Sequence, residues 1–154
     1  MIESRRGPVY LATTPAAVAI AGYVGDGQIE SSDVRFTCDH FGLDFAACTV
    51  VALDEQPLAA SKRILVTLAA RAENQGMHWN AERTSVGNAW GKSGAPIAER
   101  VPATIKIRSE APRKVTALRP DGSPAAEVAA TWSDGWLSFN TREGPATLHY
   151  EIKR

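Results

Sequence analysis

A loop-like segment, RAENQGMHWNAERT, begins at residue 71 and holds two carboxylates, an imidazole and two guanidinium groups. Glycosidases hold an acid and a second carboxylate about 5 to 10 Å apart across the bond that they cleave. Glu73 and Glu82 would supply such a pair if they faced each other across a turn, with His78 between them. Charged loop residues are more often solvated or paired with neighbours, here Arg71 and Arg83. We therefore expect these acids to be structural and keep hydrolysis as the minor alternative.

The same segment carries the aromatic groups that a sugar site uses. The apolar face of a pyranose ring packs on a flat indole, while amides, carboxylates and guanidinium groups bind its hydroxyls. Two tryptophans bracket the loop beside such polar groups, and a third follows an Asp-Gly turn further along the chain. The candidate carbohydrate-binding residues are Trp79, Trp90, Trp136, His78, Asn80 and Arg83. The alternative is that the tryptophans fasten a long loop to the domain or to a neighbouring domain.

Alternate residues of a strand point to opposite faces, and this distinguishes the two tryptophans that flank the Asp-Gly turn. Trp132 shares the parity of Val128, so we predict that it points into the core. Trp136 shares the parity of Ser138, opposite Leu137, so we predict that it points outward. Only the second would then be available to a ligand.

Metal chemistry has weak support in the sequence. The three histidines, His40, His78 and His149, are far apart, and the chain has no Cys-x-x-Cys or His-x-x-x-His spacing of the kind found in zinc sites. Aspartates near turns offer the oxygens that a structural calcium would use. Turn aspartates usually hydrogen-bond their own backbone instead. We therefore expect neither a metal nor another cofactor.

The two cysteines, Cys38 and Cys48, lie on either side of a polar stretch that contains Gly42. If that stretch turns as a hairpin, the cysteines lie roughly opposite each other and a cross-strand disulfide is conceivable. The alternative is a pair of buried thiols on strands. The sequence leaves both interpretations open.

Short strands must position these groups. Apolar pieces rich in valine, threonine and aromatic residues end at glycine, proline or aspartate, which is typical of a β-sandwich or barrel. In the last third, PDGSP and SDG predict the turns of a three-stranded meander. PATLHYEIK, residues 145–153, alternates like a half-buried final strand. We predict an all-β sandwich of about eight to eleven strands.

One segment, SKRILVTLAARAEN at residues 61–74, fits both a helix and a strand. Ile64, Leu65 and Leu68 have the spacing of a helical stripe. In a strand, Ile64 and Val66 would face one side and Leu65 the other, as in a central strand that is covered on both faces. Periodicity alone does not decide between the two. The surrounding strands favour the second interpretation.

Three features together resemble the carboxyl-terminal β-rich domain that follows the catalytic barrel in certain large bacterial glycoside hydrolases. They are RILVT, RAENQGMHWNAERTS and WGKSGAPIAERVPATI. The resemblance covers residues 10–154, in detail between 61 and 107, and supports a strand over 61–74. It implies an immunoglobulin-like antiparallel β-sandwich that acts as a noncatalytic accessory module, binding polysaccharide or oligosaccharide, packing on a catalytic domain of the same chain, or both. The catalytic carboxylates of such enzymes lie in the barrel, so no catalytic residue carries over.

Composition limits the partners of the chain. With 17 basic and 17 acidic residues the formal net charge is zero, which argues against nucleic acid as a ligand. The longest apolar run, TPAAVAIAGYVG, is too short and too rich in alanine and glycine to span a bilayer, and the amino terminus has no signal-peptide pattern. The length suits one domain, residues 1–154, which we expect to be a fragment of a larger enzyme that is extracellular or periplasmic.

Overall fold

The computed structural model describes the backbone of residues 2–4 and, in full, residues 7–92 and 96–154. These residues form β-strands and no helix, so none of them builds a helix that could cross a bilayer. In chain order the strands are β1 (Ile2–Ser4), β2 (Gly7–Thr14), β3 (Ala17–Tyr23), β4 (Gly27–Glu30), β5 (Val34–Cys38), β6 (Phe45–Ala52), β7 (Arg63–Ala69), β8 (Ala72–Glu73), β9 (Ile97–Ala98), β10 (Ala103–Arg108), β11 (Lys114–Leu118), β12 (Pro124–Val128), β13 (Ala130–Ser133), β14 (Trp136–Asn140) and β15 (His149–Lys153).

Two antiparallel sheets enclose a common hydrophobic core. The larger sheet has the order β1-β2-β3-β6-β7-β15-β11-β12 and the smaller one β13-β14-β10-β5-β4. Alternate residues of both sheets point inward, and Phe139 on β14 meets Tyr150 on β15 with 5.4 Å between ring centroids. The all-β, sandwich-like architecture predicted from the sequence is confirmed. The described strands exceed the predicted eight to eleven because short edge strands and the separate pair β8-β9 carry little sequence signal.

The ambiguous segment at 61–74 contains strand β7, as predicted. It lies between β6 and β15 in the middle of the larger sheet. Ile64, Val66 and Leu68 are fully buried, whereas Leu65 and Thr67 on the opposite face are only half-buried. The prediction of a strand covered on both faces was therefore wrong, because Leu65 and Thr67 remain partly exposed on the outer face.

The predicted meander in the last third is also corrected. A three-stranded meander with turns at PDGSP and SDG requires the segment between them, AAEVAATW, to be one strand, but this segment divides at Ala129. The part up to Val128 pairs with β11 in the larger sheet, and the part from Ala130 pairs with β14 in the smaller sheet. The chain thus changes sheets at one residue, which alternation alone does not reveal because Val128 and Ala130 share parity.

The region around Gly42 crosses between the sheets instead of forming a hairpin. Cys38 lies on β5 in the smaller sheet and Cys48 on β6 in the larger one. Both face the core, both are about 2% exposed, and both are free thiols. The interpretation as buried thiols is therefore the one that the structure supports, and the hairpin on which a cross-strand disulfide would depend does not form.

The final strand is shorter than the alternation of residues 145–153 suggested. It begins at His149 and pairs with β7 on one side and β11 on the other. Tyr150 and Ile152 are fully buried, but Leu148 lies before the strand and is 37% exposed. The preceding residues form a loop at the end of the sheet.

Candidate functional site

A long excursion leaves the sandwich after β7 and returns before β10. Its base is the two-stranded pair β8-β9, in which Glu73 lies opposite Ile97. Beyond this base lies a segment that we call the aromatic loop, residues 74–92. Gly76 has a φ of 75°, which favours glycine, and the amide of Met77 closes the turn on the carbonyl of Asn74 at 3.0 Å.

Backbone hydrogen bonds fold the aromatic loop back on itself. The amide of His78 donates to the carbonyl of Ala89 at 3.0 Å, and the amide of Lys92 donates to the carbonyl of Gln75 at 2.9 Å. The loop is therefore a compact unit with its own internal bonds, of the kind that commonly carries function.

The carboxylate of Glu73 joins the base of the excursion to the aromatic loop. Its Oε1 accepts a hydrogen bond from Trp79 Nε1 at 3.0 Å and another from Arg83 Nη2 at 2.7 Å. Arg71 Nε lies 3.5 Å from the same oxygen. Glu82 is exposed and has no hydrogen bond or ion pair with the described residues. The structure thus pairs Glu73 with cations and an indole, and does not pair it with Glu82.

Asn80 organises the tip of the aromatic loop. Its Oδ1 accepts hydrogen bonds from the amides of Thr84 at 2.8 Å and Ser85 at 3.1 Å, and its Nδ2 donates to Thr84 Oγ1 at 3.0 Å. The backbone amide of Asn80 also donates to the carbonyl of Ser85 at 2.9 Å. With its side chain engaged in this way, Asn80 shapes the loop and has little capacity left for a ligand.

The two tryptophans of the aromatic loop differ in solvent exposure and in the number of their side-chain contacts. Trp90 is 62% exposed, and its side chain makes no hydrogen bond or ring contact with the described residues. Asn74 Nδ2 donates a hydrogen bond to the backbone carbonyl of Trp90 at 3.1 Å. Trp79 is 38% exposed, uses its Nε1 on Glu73, and has the guanidinium of Arg83 at 5.4 Å from the ring centroid. Trp90 is therefore the open indole surface of this loop.

Trp136 belongs to a different surface. It lies on the outer side of the smaller sheet, as its parity predicted, and is half-buried there. The guanidinium carbons of Arg35 and Arg108 lie 4.4 Å and 4.5 Å from its ring centroid. The sequence grouped Trp136 with Trp79 and Trp90, but no contact joins it to either of them among the described residues.

Trp132 is not a core residue, contrary to the prediction. Its cross-strand neighbour Leu137 is buried, so parity identified the correct face. The strand that carries it, β13, is the edge of the smaller sheet, and the indole is 41% exposed there. Its Nε1 donates to the carbonyl of Ser109 at 2.9 Å. Parity fails here because it cannot tell an edge strand from a central one.

A groove of about 600 Å³ lies beside the base of the excursion and was not predicted. Its walls are largely aliphatic, and one charged wall residue, Arg100, is already committed to backbone carbonyls: its Nε donates to Thr141 at 3.0 Å and its Nη2 to Gly144 at 2.9 Å. The wall residues also include Glu99, Arg119 and His149, and none of the described ones is a tryptophan, tyrosine or phenylalanine on which a sugar would stack. The apolar wall residues include Pro96, Leu118, Pro120, Pro145 and Leu148.

The outer face of the larger sheet has an apolar part on β3 and β6, which was not predicted from the sequence. Further along the sheet the same face is charged, with Arg63 on β7 and Glu151 and Lys153 on β15. The outward positions of β3 and β6 carry no charged side chain, and cross-strand pairing places Ala21 beside Ala47 and Ala17 beside Val51. Leu65 on β7 lies opposite Val51 and extends the row of Ala17 and Val51. The signal was present in AVAIAGY and FAACTVVA, where the residues between the buried ones are small or apolar. Such faces are typical of contact surfaces between proteins or domains.

Metal-binding and nucleophilic groups add no further site. Among the described residues no three His, Cys, Asp or Glu side chains come together in a way that could hold a metal ion. Burial raises the pKa of both Cys38 and Cys48 to about 12, so the thiolate that reacts with electrophiles is suppressed near neutral pH.

The chain was then compared with known proteins. No protein family, curated protein or solved structure matches it. The resemblance to a glycoside hydrolase accessory domain therefore stays an expectation.

Proposed function

We propose that this chain is a noncatalytic, immunoglobulin-like module that binds carbohydrate through the aromatic loop. Trp90 supplies the platform for the apolar face of a sugar ring, and Trp79 the second aromatic edge. His78 and Arg83 lie on the same loop and provide donors for hydroxyl groups. The observation that carries the proposal is the 62% exposure of Trp90 on a loop that its own hydrogen bonds hold in place.

Pre-organisation is the physical reason for favouring this loop. Ordering a flexible loop on binding costs free energy, and a loop already held by internal bonds avoids most of that cost. The bonds from Trp79 and Arg83 to Glu73, and those around Asn80, perform this function. An exposed indole with no partner in the described chain also leaves apolar surface in water that a sugar ring would cover.

A second candidate function is packing on a catalytic domain in the same polypeptide, outside the cell or in the periplasm. The apolar outer surface of β3 and β6 favours it, because a contiguous apolar surface is typical of a contact with another protein or domain. Under this proposal the contact surface consists of two cross-strand rows, Ala21–Ala47 and Ala17–Val51–Leu65. The aromatic loop stays available for a glycan. The two functions are therefore compatible.

Affinity electrophoresis in gels that contain a neutral polysaccharide tests the carbohydrate proposal. Hydroxyethylcellulose, xylan, galactomannan and mixed-linkage β-glucan are the ligands, and a gel without polysaccharide is the reference. We expect at least one of them to retard the wild-type protein and Trp90→Ala to remove the retardation. Trp79→Ala should weaken it, because that indole is only partly open.

Trp132→Ala is the matched control, since this indole is 41% exposed but lies on the edge of the smaller sheet. It should migrate like the wild-type protein in every gel. Equal retardation of wild type and Trp90→Ala, or no retardation by any of these glycans, would remove the proposal. Release of reducing sugar by the wild type that is lost in Glu73→Gln would replace it with the hydrolase alternative.

A further inference from the structure

The outer face of the smaller sheet carries cations in a regular array. Lys106 on β10 lies directly opposite Arg35 on β5 and opposite Ser138 on β14. Arg108, two residues further along β10, lies opposite Trp136. Residues that share a face and a cross-strand row are close neighbours. We call these five residues the cationic face.

The charges of this face are poorly compensated. Side chains of like charge directly opposite each other on neighbouring strands are destabilising, and Arg35 and Lys106 are such a pair. Within the described chain, only Arg35 of the three cations has a carboxylate oxygen within 4.0 Å, that of Glu30 at 3.7 Å. Lys106 and Arg108 have none, so the interior of this face is positive.

The acidic groups nearby lie at the margins and already have donors. Glu30 is at the edge strand β4. Asp33 accepts a hydrogen bond from Ser32 Oγ at 2.6 Å, and Asp134 accepts one from Ser133 Oγ at 2.8 Å. An anion placed over β10 would therefore lie nearest Lys106 and Arg108, the two cations of that strand.

Trp136 fixes the positions of the two guanidinium groups. Both guanidinium carbons lie within 4.5 Å of its ring centroid. Cation–π contact of this kind attracts and orients an arginine, and the planar guanidinium then presents its N–H groups in the fork that binds a carboxylate. A shallow depression of about 350 Å³ lies over part of the same region and is lined by Arg35, Lys106 and Trp136, and also by Asp134. The Ser138 and Thr131 hydroxyls that line it have no hydrogen-bond partner among the described residues.

We propose that the cationic face is a second binding surface, specific for a glycan that carries carboxylates, such as a polyuronate. The choice of a glycan over another polyanion rests on the proposed carbohydrate function. The carboxylates bind Arg108, Arg35 and Lys106, and the free hydroxyls of Ser138 and Thr131 bind the sugar hydroxyls between them. The regular row of donors across three strands fits an extended polymer whose charges repeat.

The test is binding of polygalacturonate, followed by affinity electrophoresis and by calorimetry with galacturonate oligomers. We expect Arg108→Gln and Lys106→Gln each to weaken binding about tenfold, the effect of losing one charge-assisted hydrogen bond. Lys114→Gln is the control for a general loss of positive charge, because Lys114 is exposed on the larger sheet, and it should bind like the wild type.

Several outcomes distinguish this proposal from the one above. If Trp90→Ala loses the neutral glycans while polygalacturonate retards all variants equally, the cationic face is not a site and the aromatic loop still is. If neither neutral nor acidic glycan binds, both proposals fail. Equal affinity for polygalacturonate, dextran sulfate and single-stranded DNA would also overturn the inference, because it would show a nonspecific polyanion surface.

Discussion

The indole of Trp79 and the carboxylate of Glu73 are joined by a hydrogen bond of 3.0 Å from Nε1 to Oε1. The two residues lie on different parts of the excursion, Glu73 at its base and Trp79 in the aromatic loop. Since Arg83 binds the same oxygen at 2.7 Å, one carboxylate holds two points of the loop. The polar cluster that suggested catalysis in the sequence thus has a structural role in positioning an aromatic side chain.

Replacing Glu73 by alanine should loosen the aromatic loop without unfolding the sandwich. Trp79 and Arg83 lose a common acceptor, so their amides should exchange hydrogen faster, as measured by mass spectrometry of loop peptides. The global free energy of unfolding should change by less than about 1 kcal/mol, because the ion pairs involved are partly exposed. Glu82→Ala is the control and should leave exchange unchanged, since Glu82 has no partner in the described chain. Equal effects of the two variants would contradict the assignment.

Asn80→Ala should open the tip of the loop at residues 80–85. Its side chain makes three hydrogen bonds there, each worth about 1 kcal/mol. We expect faster cleavage at the tip by a protease of broad specificity, with the melting temperature of the sandwich little changed. Asn88→Ala, in the same loop but without side-chain hydrogen bonds to the described residues, should be cleaved at the wild-type rate. Resistance of Asn80→Ala to cleavage would count against this role.

Ile152→Ala should destabilise the fold strongly. Ile152 is fully buried on β15, between β7 and β11 in the larger sheet, and a cavity there costs about 2 to 5 kcal/mol. Ile97→Ala is the matched variant, because Ile97 is 57% exposed on β9 and its truncation should cost well under 1 kcal/mol. Urea unfolding monitored by circular dichroism measures both. Similar midpoints for the two variants would contradict the position of the core.

The buried thiols should make stability fall at high pH. Burial raises the pKa of Cys38 and Cys48 to about 12 in the folded state, from a usual value of 9.0. A thiol with a raised folded pKa contributes stability that is complete below pH 9 and is lost as pH rises toward 12. The difference in unfolding free energy between the wild type and a Cys38→Ala, Cys48→Ala double variant should therefore shrink over that interval. A difference that stays constant would refute the burial of the thiols.

The same burial predicts that a thiol-specific disulfide reagent will not label the native protein at pH 8, and will label both cysteines in denaturant. Rapid labelling of the native protein would contradict the positions of β5 and β6.

Acid should weaken the larger sheet through Glu151. Burial acts to raise the pKa of this carboxyl, but hydrogen bonds and charges from Lys153 and Arg63 outweigh it, and the pKa is lowered from 4.5. A lowered folded pKa gives stability that is present above pH 4.5 and lost as pH falls below it. The melting temperature of Glu151→Gln should therefore depend less on pH below 4.5 than that of the wild type. Identical profiles would contradict the pairing.

The predictable strands are those whose apolar and polar residues alternate, because the alternation shows which face of the strand is buried. Ile105 and Ile107 alternate with Lys106, and β10 has exactly this inward and outward pattern. Alternation states which side of a strand is apolar, but not which sheet the strand joins or whether it is an edge. The break at Ala129, the crossover at Gly42 and the exposed edge at Trp132 all depend on distant partners, so local pattern could not predict them.

The candidate site divides in the same way. The aromatic loop was predictable because its tryptophans, polar residues and turn at Gly76 are neighbours in the chain. The cationic face was not, because Arg35, Lys106 and Ser138 come from three separate strands and meet only through pairing. Trp136 was noticed for its exposure, but its contact with two arginines depends on that same pairing. Small residues on the outer positions of β3 were visible in the sequence and were not interpreted as a surface.

The single residue between β12 and β13 fixes which residues of the two strands point into the core. Val128 points into the core from one sheet and Ala130 toward it from the other, with Ala129 as the only spacer. Inserting or deleting one residue there would invert the faces of one of the two strands. Changes in chain length should therefore be excluded at this corner, because the length of the spacer decides which face of each strand points into the core.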